Sequence, residues 1–171
     1  MINQCKIIIA VAALLFLTTP MPASAFCFEE AGQTYNISPE LLWAIAKVES
    51  DFRPDAINKN TNGSYDYGVM QINSWWYSKL GKERWESLGD ACVNVQTGAW
   101  ILAQCIAQHG YNWEAVGYYN ARTPEKRKAY VKKIQAAVKQ AQKAPKRKES
   151  PPSTYAQSIK EISVREIMDM I

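Results

Sequence analysis

Helix boundary signals are the clearest indication of the fold class of this 171-residue chain. The Ser-Pro-Glu run at residues 38–40 predicts a helix start, because a Ser N-cap precedes Pro at the first helical position and an acid in the first turn. The same helix is expected to end at residue 50 or 51, since Pro54 disfavours helical geometry at the residue before it.

Apolar spacing and end signals predict three further helices in the core. One is closed by Asn36 and another by Gly110, two residue types that commonly terminate helices. No segment has convincing strand alternation, and residues 69–80 form either a helix or an irregular turn. The four core helices are expected at residues 28–35, 39–50, 94–109 and 113–119. The pattern therefore favours a mainly α domain.

Residues 55–67 are rich in Asn, Thr, Gly, Ser and Asp, which is the composition of a long surface loop. Loops of this length inside compact domains are usually functional. We therefore expect this segment to contribute to a binding site.

The first 25 residues have the pattern of a signal peptide. Lys6 precedes an apolar run at residues 7–17, and the small residues at 23–25 predict cleavage after Ala25. The apolar run is shorter than the ~20 residues that a membrane span needs, although an uncleaved anchor is the alternative. We therefore expect a periplasmic protein without stable membrane insertion after cleavage, and residues 26–171 suffice for one domain.

Three cysteines remain after the predicted cleavage, in a compartment that permits disulfides. If a helix begins at Asn94, the residues up to Cys105 rise ~16 Å, whereas bridged Cα atoms lie within ~7 Å. Cys92 and Cys105 should therefore not pair. We favour a Cys27–Cys92 disulfide, with Cys105 as a small buried hydrophobe.

The formal net charge of +4 is concentrated near the carboxyl terminus. Between Arg122 and Lys148, Glu125 is the only acid among many bases. Such a segment contacts anionic wall polymers, acidic partners or membrane surfaces, or is simply the solvated face of a helix. A nucleic-acid role is excluded by export and by the scarcity of aromatic residues in the basic segment.

The last part of the chain follows the four predicted core helices. A basic helix follows Pro124 and continues to about Lys143, and residues 144–153 form a linker rich in Pro, Lys and Ser. Residues 155–171 carry apolar side chains near helical spacing, which predicts a short amphipathic helix that docks on the domain or on a partner. The predicted organisation is a signal peptide at 1–25, a domain with its basic helix at 26–143, and a linker with the terminal helix at 144–171.

Glu49 is the strongest candidate for a catalytic residue. It falls on the apolar face of its helix together with Leu42, Ile45 and Phe52. Burial disfavours the charged form of a carboxyl group, so the pKa of Glu49 is expected to rise toward the value that a general acid needs near neutral pH. The alternative is a Glu that points outward at the helix end.

Three segments, at residues 44–50, 65–73 and 115–121, together resemble a known family. In this order they are similar to the Glu-Ser pair, the Gly-Leu-Met-Gln-Ile segment and the Ala-Tyr-Asn-Ala segment of the soluble lytic transglycosylases, members of the lysozyme superfamily. The resemblance extends from Cys27 to about Ala121. The nearest relatives are small enzymes that accompany type III secretion, type IV secretion and conjugation systems. The resemblance implies a lysozyme-like helical domain in which residues 55–67 are a substrate loop.

The resemblance also implies roles for individual residues. Glu49 would be the catalytic acid/base, with Ser50 as a hydrogen-bonding helper, and Gly68 would let the backbone approach the glycan. Tyr119 and Asn120 would face Glu49 across the cleft. The remaining implied substrate-binding residues are Met70, Gln71 and Asn73. The sequence departs from the family at Val69, where Leu is usual, and at Arg122, where Gly is common, so the turn after Asn120 is expected to differ.

The implied reaction is cleavage of the β-1,4 bond between N-acetylmuramic acid and N-acetylglucosamine in peptidoglycan. With Glu49 alone, the product is a 1,6-anhydro sugar, whereas a hydrolase needs a second carboxylate, for which Asp55 and Asp66 remain open. The alternatives are therefore a muramidase, or a non-catalytic assembly protein that binds peptidoglycan or a secretion or conjugation apparatus through the carboxyl-terminal tail.

No metal or cofactor is expected, because His109 has no neighbouring Cys or acid at ligand spacing. Two adjacent tryptophans, Trp75 and Trp76, cannot both be buried easily. One of them is expected to be available to stack on a sugar ring.

Overall fold

The computed structural model describes residues 26–143, so the predicted signal peptide, linker and terminal amphipathic helix lie outside the described residues. Within this range the domain is mainly helical, as predicted. The helices are α1 (Phe28–Tyr35), α2 (Pro39–Ser50), α3 (Tyr77–Glu86), α4 (Ala91–His109), α5 (Trp113–Asn120) and α6 (Pro124–Ala141). The strands are β1 (Ile57–Lys59), β2 (Tyr65–Tyr67) and β3 (Ile72–Asn73). None of the helices in the described range meets the length and hydropathy of a membrane span.

Helix α2 begins and ends where the boundary signals predicted. The Ser38 hydroxyl accepts a hydrogen bond from the Leu41 backbone N–H at 3.3 Å, which caps the first turn. At the other end Asp51 adopts a left-handed conformation with φ 55°. The helix buries Leu42 and Ile45 completely. Glu49 lies in its last turn.

Helix α4 is the central element, and it starts three residues earlier than predicted. Asp90 caps the helix by accepting a hydrogen bond from the Val93 N–H at 2.9 Å. Apolar periodicity alone placed the start at Asn94 and overlooked this cap. Every residue from Ala91 to Leu102 is buried, because α4 is packed by α1 and α5 among other elements.

The domain also contains three short strands, which the sequence did not predict. β1 pairs antiparallel with β2, with Ile57 opposite Tyr67, and β2 pairs with β3, with Tyr67 opposite Ile72. The predicted loop at 55–67 is therefore largely a hairpin. Strands of two or three residues are too short to produce a readable alternation, and all of β1 is exposed.

The segment at residues 69–80, for which the sequence left two alternatives, contains several short elements. It passes through β3 and a 3₁₀ turn at Ser74–Trp76, and then enters α3. Inside α3, Gly81 has a φ of 75° and a ψ of 168°, which interrupts the helical geometry. The segment thus carries cleft residues on short elements rather than on one long helix.

Helix α6 is part of the core. It packs against α2 and α5, and its inner face buries Tyr130, Ile134 and Ala137. The lysines of α6 lie on its exposed side. The basic helix therefore combines a solvated face with a structural one.

The predicted disulfide is present. Cys27 and Cys92 are bonded, with their Cα atoms 5.3 Å apart, and the bond joins the residue before α1 to the first turn of α4. Cys105 is free and half-buried, and burial raises the pKa of its thiol to about 11. The Cys105 thiol is therefore protonated at neutral pH and unreactive.

Candidate active site

A polar cleft of about 1050 Å³ lies beside the end of α2 and contains Glu49. Its lining comes from five places: the last turn of α2 with the residues after it, the β1–β2 hairpin, the segment around β3, Ile101 of α4, and the end of α5 with the turn that follows. Amide and hydroxyl side chains are frequent in the lining. They include Asn58, Asn60, Asn62, Ser64, Gln71, Asn73 and Asn120. Such groups match the hydroxyl and N-acetyl groups of a glycan.

Glu49 is half-buried, and its carboxylate Oε1 accepts a hydrogen bond of 2.6 Å from the Tyr130 hydroxyl. Burial raises the pKa of Glu49 from 4.5 to about 7, and the negative charge of Asp66 contributes in the same direction. The Tyr130 hydrogen bond and the positive charge of Lys133 lower it. Near neutral pH this carboxyl group can therefore either donate or accept a proton.

Tyr130 is the site residue that the sequence analysis missed. It lies on α6, 81 residues from Glu49. The sequence analysis interpreted this segment by its basic charge and not by its apolar residues. The available signal was the spacing of Tyr130, Ile134 and Ala137, which marks an apolar stripe on an otherwise basic helix. Burial raises the pKa of Tyr130 well above 10, so the phenol stays neutral and donates to the carboxylate.

Tyr119 and Asn120 lie on the cleft wall at the end of α5. The Tyr119 hydroxyl donates to the Met70 carbonyl oxygen at 2.8 Å, and burial raises the pKa of this phenol well above 10. Its hydrogen bond therefore goes to the backbone rather than to Glu49. Asn120 is exposed on the cleft wall.

Ser50, Gly68 and Met70 lie behind the cleft and do not line it. The Ser50 hydroxyl donates to the Val69 carbonyl at 2.8 Å, which ties the end of α2 to the segment before β3. A Cβ atom on Gly68, whose φ is 78°, would lie 2.1 Å from the Asn94 amide nitrogen. The space beside Gly68 is thus filled by protein, and Met70 is fully buried.

Asn94 organises this layer beneath the cleft. Its side-chain oxygen accepts from the Met70 N–H at 2.8 Å, and its amide nitrogen donates to the carbonyls of Tyr67 and Leu88 at 3.2 and 3.0 Å. A fully buried Asn in an apolar helix is the signal that could have indicated this role.

Gln71 and Asn73 line the cleft as the resemblance implied. Gln71 has a φ of 49°, and its amide nitrogen donates to the Ala56 and Gly68 carbonyls at 3.2 and 2.9 Å. Asn73 donates to Asp66 at 2.6 Å. Both amides hold the shape of the cleft wall, in addition to facing its interior.

The structure distinguishes the two aspartates that the sequence left open. Asp66 lines the cleft and accepts hydrogen bonds from the amides of Asn73, Asn60 and Asn58 at 2.6, 3.0 and 3.5 Å. Asp55 is exposed and does not line the cleft. A second carboxylate, in a hydrogen-bonded setting, is thus present in the cleft.

The tandem tryptophans have different environments. Trp76 is half-buried and packs edge-on against Trp100, with ring centroids 5.5 Å apart. Trp75 lies at the cleft edge with 76% of its surface exposed. Only Trp75 therefore offers a largely free ring face.

A group of potential metal ligands in the described range consists of Cys27, Glu30 and Cys92. Both sulfur atoms are joined in the disulfide, and none of the three residues lines the cleft. This group therefore does not fit a metal site.

Comparison with known proteins places this geometry in a family. Residues 26–146 match the Transglycosylase SLT domain family. The chain is 45% identical over 128 residues to the invasion protein IagB of Salmonella typhimurium strain SL1344, covering 71% of the chain and 80% of IagB. It is 40% identical over 118 residues to protein IpgF of Shigella flexneri, with 67% and 78% covered, and 38% identical over 120 residues to an X polypeptide of Escherichia coli, with 65% and 71% covered. The chain therefore belongs to the Transglycosylase SLT domain family.

Proposed function

We propose that this protein is a lytic transglycosylase that cleaves the β-1,4 bond between N-acetylmuramic acid and N-acetylglucosamine in peptidoglycan. The observation that carries the proposal is the Glu49 carboxyl group, half-buried in a polar cleft, with a pKa raised to about 7. A group with this pKa can act first as an acid and then as a base in a single turnover. Family membership supports the same reaction.

In the first step, protonated Glu49 donates its proton to the glycosidic oxygen, and the bond from that oxygen to C1 of the muramic acid breaks. The Tyr130 hydroxyl continues to donate to Oε1, so it stabilises the carboxylate that remains. In the second step, Glu49 takes the proton of the C6 hydroxyl, whose oxygen bonds to C1. The product is a 1,6-anhydro sugar, and Glu49 is protonated again without the use of water.

The cleft residues divide into two groups in this mechanism. Gln71, Asn73 and Asn120 line the cleft and are proposed to bind the sugars directly. The proposed role of Tyr119 is to position the wall through its bond to Met70. Ser50, Gly68 and Met70, which the resemblance placed among the substrate-binding residues, are proposed to support the cleft from behind.

Asp66 favours a second candidate reaction, hydrolysis of the same bond by a muramidase. Retaining glycosidases use one protonated and one ionised carboxyl group in the same cleft. Asp66 accepts hydrogen bonds from the amides of Asn60 and Asn73 in the same cleft, while the pKa of Glu49 is raised to about 7. In this reaction Asp66 would stabilise or attack C1, and water would complete the turnover.

Mass spectrometry of muropeptides released from purified sacculi separates the two reactions, because anhydro and reducing ends differ by one water. The lytic transglycosylase predicts anhydro ends and no activity of the Glu49→Gln variant. Asp66→Asn should keep anhydro product if Asp66 only shapes the cleft. Reducing ends in the wild type, lost in Asp66→Asn, would establish the muramidase instead.

The setting is proposed to be the periplasm, where the enzyme would open the wall locally for a transenvelope secretion or conjugation apparatus. The support is the similarity to a protein named for invasion. A truncation after Ala144 should keep turnover and lose binding to apparatus components. A full-length chain that binds sacculi but never cleaves them would favour a non-catalytic assembly protein.

A further inference from the structure

Two arginines in the cleft are not used by the reaction. The charged residues of the lining are Glu49, Asp66, Arg53 and Arg122. The two acids have their own partners, since Glu49 accepts from Tyr130 and Asp66 from amide groups. Among residues 26–143, no ion pair involves either arginine. In the described part of the chain, the cleft therefore holds two arginines that are not paired with an acid.

Arg53 is held in place at the base of its guanidinium. Its Nε donates to the Ser50 carbonyl at 3.0 Å, and its backbone N–H donates to the Ser50 hydroxyl at 3.1 Å. These bonds fix the side chain beside the last turn of α2, four residues after Glu49. The two terminal nitrogens make no hydrogen bond within the described part of the chain, so they remain available to a ligand.

Arg122 lies on the turn after α5, where the family commonly has Gly. Its backbone carbonyl accepts a hydrogen bond from Arg127, whose guanidinium lies 4.0 Å from the centre of the Tyr118 ring. Tyr118 in turn stacks on His109, with ring centroids 3.9 Å apart. Arg127 thus holds the backbone of this turn, while the Arg122 side chain is exposed at the cleft.

We propose that Arg53 and Arg122 bind carboxylates of the peptides attached to the muramic acid residues. This inference rests on the proposed function. In intact peptidoglycan the lactyl carboxyl of muramic acid is part of the amide bond to the peptide, so the carboxylates of a peptide-bearing strand belong to its peptides. The guanidinium fork matches carboxylates in geometry and charge.

The test compares native sacculi with sacculi whose carboxylates have been converted to amides by carbodiimide and ammonia before the enzyme is added. We expect kcat/KM of the wild type to fall about tenfold on the amidated substrate, as for loss of a charge-assisted hydrogen bond. The Arg53→Gln/Arg122→Gln double variant should change less than twofold between the two substrates. An equal fall in the double variant would overturn the proposal.

Cosedimentation with the same two kinds of sacculi separates this inference from the proposed function. In a Glu49→Gln background, binding should show the same dependence on carboxylates and on the two arginines, even if the wild type cleaved nothing. The matched control is Lys128→Gln/Lys132→Gln, which removes equal charge from exposed positions on α6. The control variant should still bind native sacculi more tightly than amidated sacculi. Loss of this preference in the control would show general charge attraction and overturn the proposal.

Discussion

At the scale of single residues, Glu49 and Tyr130 form the hydrogen-bonded pair on which the proposed chemistry depends. Burial and the charge of Asp66 push the Glu49 carboxyl toward its protonated form, while the Tyr130 hydroxyl and Lys133 favour the carboxylate. The pKa of about 7 is the balance of these effects. Changes to either partner should therefore be visible in the pH dependence of the reaction and of stability.

Removal of the Tyr130 hydroxyl should move the pH profile toward higher pH. This hydroxyl stabilises the Glu49 carboxylate, so Tyr130→Phe raises the pKa of Glu49, and the general acid keeps its proton to higher pH. The fall of kcat/KM on the alkaline side should therefore occur at higher pH. Maximal kcat should be reduced ~10-fold, because a charge-assisted hydrogen bond is lost. Tyr77→Phe, an exposed site outside the cleft, is the control. An alkaline fall of kcat/KM at the same pH in Tyr130→Phe and the wild type would contradict the role of Tyr130 in setting the pKa of Glu49.

Glu49→Gln should stabilise the fold above pH 7. The pKa of Glu49 rises on folding from 4.5 to about 7, so ionisation destabilises the native state as pH rises through this window, and no penalty exists below it. We expect the variant to gain about 1–3 kcal/mol over the wild type at pH 8 and little at pH 4.5, after allowance for partial exposure. Urea unfolding at both pH values measures this, with Glu83→Gln as the exposed control. A gain that does not depend on pH would argue against a buried ionisable group.

At the scale of elements, α6 determines whether Tyr130 reaches Glu49, the proposed catalytic residue. This helix delivers Tyr130 to Glu49 only because its apolar stripe packs on α2. The lysines on its exposed side dominate the composition but make no comparable contribution to the core. The segment between Gly68 and Met70 is placed in a similar way, by the buried side chain of Asn94.

Ile134→Ala should destabilise the domain and impair the site together. Ile134 is fully buried on the inner face of α6, so truncation leaves a cavity and should lower the free energy of unfolding by about 2–5 kcal/mol. Lys139→Ala, on the exposed side, should change it by less than ~0.5 kcal/mol. Chemical denaturation gives both values. Near-equal losses would mean that α6 is not docked through its apolar stripe.

At the scale of the whole molecule, the disulfide links the amino-terminal end of the described residues to the central helix. The bond closes a loop between positions separated by 65 residues, from before α1 to the first turn of α4. That loop contains α1, α2, the hairpin and α3, which include Glu49 and most of the cleft wall. The disulfide is therefore expected to stabilise the part of the chain that forms most of the site.

Loss of the disulfide should cost about 4 kcal/mol of folding free energy, the amount that loop-closure entropy gives for this separation. The Cys27→Ser/Cys92→Ser double variant, unfolded in urea, tests this against the wild type. Cys105→Ser removes a thiol without removing the cross-link and should cost much less. A similar loss in the two proteins would contradict the role of the cross-link.

The helical class, the bounds of α2, the Cys27–Cys92 pairing and the candidacy of Glu49 could all be predicted from the sequence. These depend on local signals, since caps, prolines and helical spacing act within a few residues. The sequence did not reveal the short strands, the role of Asn94 or the contact of Tyr130 with Glu49. These features depend on contacts between distant parts of the chain, because Tyr130 follows Glu49 by 81 positions and a two-residue strand exists only through pairing with its neighbour.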